Sequence, residues 1–116
     1  SIGERLTAFI VTQACLKQNI NVSFLDAREV IVTDDNFGNA YVHYKESYSK
    51  IRKFCQDLNK TWIITGFIGS TKNNETTTIG RSGSDYTASI FGAALNVRKI
   101  EIKYDIGIKK LKNEIE

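Results

Sequence analysis

The sequence predicts an α/β fold, with helices and strands alternating along one small domain. Three observations lead there. Apolar residues recur at helical spacing in long segments separated by short strand-like runs, giving the order helix, strand, helix, strand, helix, strand. The run "TWIITGFIG" is continuously apolar and ends in glycines, as parallel strands covered on both faces are. The segment "KIEIKY" alternates polar and apolar residues as a strand does.

The elements follow in order. From Glu4 to Gln18, Leu6, Phe9, Ile10, Ala14 and Leu16 fall at near-helical spacing. Their band is broad, which predicts a well-buried helix. "NVSFLDA" reads as a short strand through Val22 and Leu25, with Asp26 at its end. A second apolar run, Val30 to Val32, meets a turn-rich loop at Asp34 to Asn39. Tyr48, Ile51, Cys55 and Leu58 mark one face of a helix, with Arg52, Lys53, Gln56 and Asp57 opposite. After "TWIITGFIG", the polar "STKNNETTT" reads as a hairpin tip. A helix beginning near Ser84 carries Tyr86, Ala88, Ile90, Phe91 and Leu95, with small residues suited to close packing on a sheet. In "GIKKLKNEIE", Ile108, Leu111 and Ile115 return at helical spacing. No internal repeat or low-complexity segment interrupts this order.

Composition narrows the function classes. The 116 residues suffice for one domain with a modest core, and 41% hydrophobic with 25% charged residues is ordinary for a globular protein. The net charge of +3 rests mainly on Lys99, Lys103, Lys109, Lys110 and Lys112, interleaved with Glu101, Glu114 and Glu116. That pattern is a solvated face, without the interleaved aromatics of a nucleic-acid track. Without a spanning apolar run or a leader pattern, the expected compartment is the cytoplasm, with no membrane partner. Cys15 and Cys55 fall in helical patterns and form no CxxC, so reduced core cysteines are expected. His43 is the sole histidine, and no metal site is expected. The chain begins at Ser1 inside a helical pattern and contains no Met, so Ser1 is not expected to be a natural start.

One stretch asks for more than a connection. "TTTIGRSGSDYTA", residues 76–88, gathers Arg81, Ser84 and Asp85 at a glycine-rich bend before an apolar helix. Backbone N–H groups at a helix start attract anions, and Gly80 and Gly83 let a ligand approach the backbone. Arg81 suits a bidentate grip on a carboxylate or phosphate. Read plainly, Ser84 and Asp85 serve equally as capping residues and Arg81 as a surface charge. "GFIGSTK" lacks the GxxxxGK[ST] spacing of a phosphate loop.

The segments "GERLTA", "LDAREVIVTDDNFGNA", "TGFIGSTKNNETTTIGRSGSDYTASIFGAAL" and "IEI" run in order from about Gly3 to about Ile102. Together they resemble the catalytic domain of aspartate kinase, including the kinase half of bifunctional aspartokinase–homoserine dehydrogenases. The resemblance implies the amino-acid-kinase fold, a three-layer α/β/α sandwich with a mainly parallel sheet. Residues 1–116 would be part of that domain, with a divergent tail at 105–116. It implies ATP with Mg2+ as phosphoryl donor and the side-chain carboxylate of L-aspartate as acceptor. The product is 4-phospho-L-aspartate, the first step towards lysine, threonine and methionine. A homo-oligomer is implied for the full-length protein.

By the same resemblance, Glu4 looks like the carboxylate that binds the substrate α-amino group. Arg81 looks like the grip on a substrate carboxylate, Phe67 like a wall of the aspartate pocket, and Ser84 like a hydrogen-bond partner. Asp85 resembles the catalytic-site aspartate, acting with Arg81. Gly80, Gly83 and Asp105 match positions on the nucleotide side. The chemistry is consistent: an aspartate side chain with a pKa near 3.9 is already ionised at neutral pH and needs no general base. Catalysis then rests on positioning and on stabilising the transferred phosphoryl group. On position alone, Glu4 equally serves the helix dipole and Phe67 equally serves a core. Asp26 and Arg28 read as a structural ion pair, and turn chemistry accounts for Asp34, Asp35 and Asn36.

The pattern also departs from the family. The glycine loop of type "KFGG", whose lysine meets the phosphates, has no counterpart in these residues. After Ile100 to Tyr104, "KYDIGIKKL" replaces the nucleotide segment, with Tyr104 where a threonine is expected. The isolated 116 residues are therefore expected to be inactive alone. A catalytically dead amino-acid-binding relic and another carboxylate or carbamate kinase remain as alternatives.

Overall fold

The structure, a computed structural model, describes residues 2–57, 59–80 and 83–101. Leu58, the bend residues Arg81 and Ser82, and everything after Glu101 lie outside the described residues. That includes the second half of "KIEIKY", the tail at 105–116 and its helical pattern.

Helix α1 spans Ile2–Lys17, with Glu4 in its first turn and Lys17 in its last, each complementing the helix dipole. It ends at Asn19, whose φ of 61° is the left-handed conformation that asparagine tolerates. Ile20 N there donates to Cys15 O at 3.0 Å. Strand β1 (Val22–Leu25) leads into a 3-10 turn at Ala27–Glu29, which Asp26 caps by accepting from Arg28 N. Helix α2 (Tyr44–Phe54) buries Ser47 and Ile51. The Ser47 hydroxyl accepts from Val32 N at 2.9 Å, anchoring α2 to the apolar run before it.

Strand β2 (Thr61–Ile64) returns parallel to β1, with Val22 opposite Thr61 and Leu25 opposite Ile64. α2 lies in that crossover, as a parallel pair requires. Strands β3 (Ile68–Ser70) and β4 (Thr76–Thr78) form a separate antiparallel hairpin, and α3 spans Gly83–Leu95. The core joins Leu25, Val30, Ile31, Ile51, Ile68 and Ile90. α2 and α3 pack together, and Arg52 Nε donates across to Ala94 O at 2.8 Å.

The fold is mixed α/β with a parallel pair, as expected, but three details change. α1 is not well buried: Ala8 and Thr12 are its buried residues, while Leu6, Phe9 and Ile10 stay at least half exposed. Its apolar residues run almost all round, and a helix resting on one strand pair covers only one stripe. "TWIITGFIG" is not one strand. It breaks at Thr65–Phe67, and its second half leaves the parallel sheet for the hairpin. α2 stops at Phe54, with Cys55 as its C-cap. Both cysteines are free, and burial pushes the Cys55 thiol up. No helix among the described residues is long and apolar enough to cross a membrane.

Candidate functional site

The break in "TWIITGFIG" makes the site. Beyond the carboxyl end of β2 the chain turns sharply, as Thr65 Oγ1 accepts from Ala27 N at 2.7 Å and ties the turn to the end of β1. A cleft of about 210 Å³ opens there, between Glu4, Thr7, Ala8 and Val11 of α1 and Ile63 to Gly66. Carboxyl ends of strands are where open α/β sheets bind ligands.

α3 approaches from the other side. A Cβ on Gly66 would lie 2.9 Å from Ser84 Oγ and 3.2 Å from Ser84 Cα, so only glycine lets the helix start this close. Phe67 follows with φ 72°, a left-handed conformation costing a bulky residue on the order of 1–3 kcal/mol. Its N–H donates to Thr87 Oγ1 at 3.1 Å, and its carbonyl accepts from Ile79 N at 3.1 Å. The strained residue is thus fastened to both flanks of the bend at 80–83.

Gly80 takes φ 91°, and a Cβ there would meet Asn39 Oδ1 at 2.4 Å. The loop carrying Asn39 is laced to β4, with Ala40 N donating to Thr78 O and Thr78 N to Phe37 O, both at 2.9 Å. Asp34 Oδ1 accepts from Asn36 N and Tyr41 N, so this aspartate closes its own loop.

The structure therefore gathers Glu4, Ser84 and the Gly66–Phe67 pair at one strand end, with Asp85 in the first turn of α3. Phe67 adjoins the cleft but turns its side chain against the core. Gly80 and Gly83 flank the bend, and Arg81 and Asp105 lie outside the described residues. Sequence reasoning missed Gly66, Thr65 and Thr87. The interruption of an apolar strand by Thr-Gly was the available signal for the first two.

Two further interactions tie neighbouring elements. Arg28 forks onto Asp26, with its Nη2 2.6 Å from Oδ2, and reaches Thr76 Oγ1 at 2.9 Å. Burial pushes the Asp26 carboxyl up, but the Arg28 hydrogen bonds and charge outweigh it and hold the group below its ordinary value. Next to Asp85, the Tyr86 hydroxyl bonds that of Tyr44 on α2. Burial, then that bond, push the Tyr86 phenol up to about 12. A larger hollow of about 780 Å³, against Leu95 to Lys99, lies at the opposite end of α3 and holds none of these residues.

Comparison with known proteins agrees with this fold. A model of the amino acid kinase family matches residues 1–107. The chain is 32% identical over 108 residues to lysine-sensitive aspartokinase 3 of Escherichia coli, covering 91% of this chain and 24% of that protein. It is 37% identical over 107 residues to the aspartokinase of Rickettsia bellii, covering 91% and 26%. Among solved structures, E. coli aspartokinase III with lysine and aspartate superposes with a TM-score of 0.83 at 29% identity, over 90% of this chain and 24% of that one. The same enzyme with aspartate and ADP gives 0.79 at 31% identity, over 84% and 22%. The chain thus spans about a quarter of the length of these aspartokinases. By sequence and by fold, it belongs to the amino acid kinase family, with aspartokinases as its relatives.

Proposed function

We propose that this chain forms the aspartate-binding part of an aspartokinase catalytic domain. The observation that carries the reading is the cleft at the carboxyl end of β2 that Glu4 and Gly66 line, with Ser84 set against Gly66. In this reading Glu4 pairs with the substrate ammonium, Arg81 grips a carboxylate, and Ser84 donates a hydrogen bond. Two charges of opposite sign on different elements suit a zwitterion. Phe67 bounds the pocket through its backbone beside Gly66, its side chain packing on the core. Asp85, at the dipole-positive start of α3, orders the cationic groups around phosphoryl transfer.

ATP is the donor in this proposal, and the start of α3 at Gly83, with its backbone N–H groups and positive dipole end, is where its phosphates would lie. Mg2+ accompanies the ATP in this proposal. Bound there, the metal nucleotide supplies the phosphoryl group. The chain's own residues hold the aspartate carboxylate, already ionised, in line for it.

Calorimetric titration with L-aspartate tests the reading. Saturable binding, preferred over glutamate, is expected to weaken roughly 10- to 150-fold in Glu4→Gln and in Arg81→Ala, the loss of one charged hydrogen bond. Absence of saturable binding by the unmodified chain overturns it. ATP-dependent aspartyl phosphate formation by the chain alone is not expected, because no lysine of the "KFGG" type is present to meet the phosphates.

A further inference from the structure

We propose that Thr87 is a positioning residue of this pocket, its hydroxyl holding Phe67 in the left-handed conformation that fixes α3 against the end of β2. The proposal rests on the reading above for its link to aspartate, and on backbone geometry for the rest. Phe67 has φ 72°, where a phenylalanine does not stay without external support. The support is on both sides of the residue. Its N–H donates to Thr87 Oγ1 at 3.1 Å, and its carbonyl accepts from Ile79 N at 3.1 Å. Thr87 and Ile79 are 4% and 3% exposed, so water does not compete for these bonds.

The spacing explains why one hydroxyl matters to the site. Ser84 and Thr87 stand three apart on α3 and share a face. Ser84 abuts Gly66 while Thr87 holds Phe67, so consecutive residues of the turn meet consecutive turns of the helix. Ile79 carries the other tie straight into Gly80 and the bend. Remove the Thr87 acceptor and Phe67 relaxes to negative φ, and the Gly66–Ser84 contact loosens with it. Thr87 touches no substrate in this scheme. It acts through Phe67.

The experiment uses the whole 116-residue chain and two readouts, the Phe67 φ from NMR couplings and chemical shifts and the affinity for L-aspartate. Thr87→Val keeps the shape and deletes the acceptor. It is expected to move Phe67 to negative φ and weaken aspartate binding tenfold or more. Thr87→Ser keeps the hydroxyl and is expected to retain positive φ and an affinity within threefold. If Thr87→Val does not fold, Thr87→Cys, whose thiol is a poor acceptor, replaces it with the same expectations. Positive φ persisting without the hydroxyl overturns the proposal, as does an affinity no lower than that of Thr87→Ser. If φ responds as expected but no form of the chain binds aspartate, the clamp stands and the aspartate reading falls.

Discussion

The two flanks of the parallel strand pair are finished very differently. On the side of α2 and α3, Ile51 and Ile90 are 0% and 1% exposed, and Arg52 reaches across to the α3 backbone. On the side of α1, Leu6 is 55% and Ile10 56% exposed, and burial falls to Ala8 and Thr12. Both flanks are helical and apolar in sequence. The difference lies in what each helix meets: α3 has α2 beside it, whereas α1 packs chiefly on β1 and β2 among the described residues. Apolar content makes a helix stick, but burial needs a second surface. The proposed site sits on the seam between these flanks, with Glu4 from the loosely covered side and Ser84 and Asp85 from the packed one.

Breaking the packed flank should have the largest effect. Ile51→Ala is expected to cost about 2–5 kcal/mol in urea unfolding, the usual result of a core cavity. A loss under 1 kcal/mol would mean that α2 and α3 are no better packed than α1. Gly66→Ala attacks the seam. Its methyl meets Ser84 backbone as well as side chain, so the start of α3 must shift, for roughly 1–3 kcal/mol. Stability within a few tenths of wild type would show that the approach is looser than drawn.

Asp26→Asn tests the brace at the end of β1. With partners 15% and 29% exposed, the pair is between a surface and a buried one, and about 1–2 kcal/mol at pH 7 is expected. The folded-state value of Asp26 is depressed, so its contribution is complete above the unfolded value near 3.9. It fades as pH falls through the folded value, and wild type and variant should converge in acid. A gap that persists unchanged at pH 2 would assign the effect to packing. The smallest effect belongs to α1: Leu6→Ser and Ile10→Ser should each stay within about 0.5 kcal/mol. A loss above 2 kcal/mol would mean that this face is covered in solution, and the contrast between the flanks would disappear.

Much of the site could be read before any coordinates. "GSDYTA" announced a helix start with Ser84 and Asp85 in its first turn, because small capping and acidic residues favour that place. "LDARE" announced the Asp26–Arg28 pair, two residues apart at a strand end. The GFIG break escaped for a physical reason: Ile63, Ile64, Phe67 and Ile68 are equally apolar, and hydrophobicity does not record where a chain changes sheets. Thr87 escaped because a threonine inside a helix looks the same whether its hydroxyl bonds its own backbone or a strained residue twenty positions away.

By itself, the sequence determined the local decisions: where helices begin, which loops close on an aspartate, which glycines stand at bends. Those depend on residues within a few positions of one another, and their chemistry is written side by side. The tertiary structure alone decided which apolar faces are covered, where the apolar run leaves one sheet for another, and that Gly66 shares a cleft with Glu4 while lying against Ser84. These depend on distances between segments well separated in the chain, which only packing brings together.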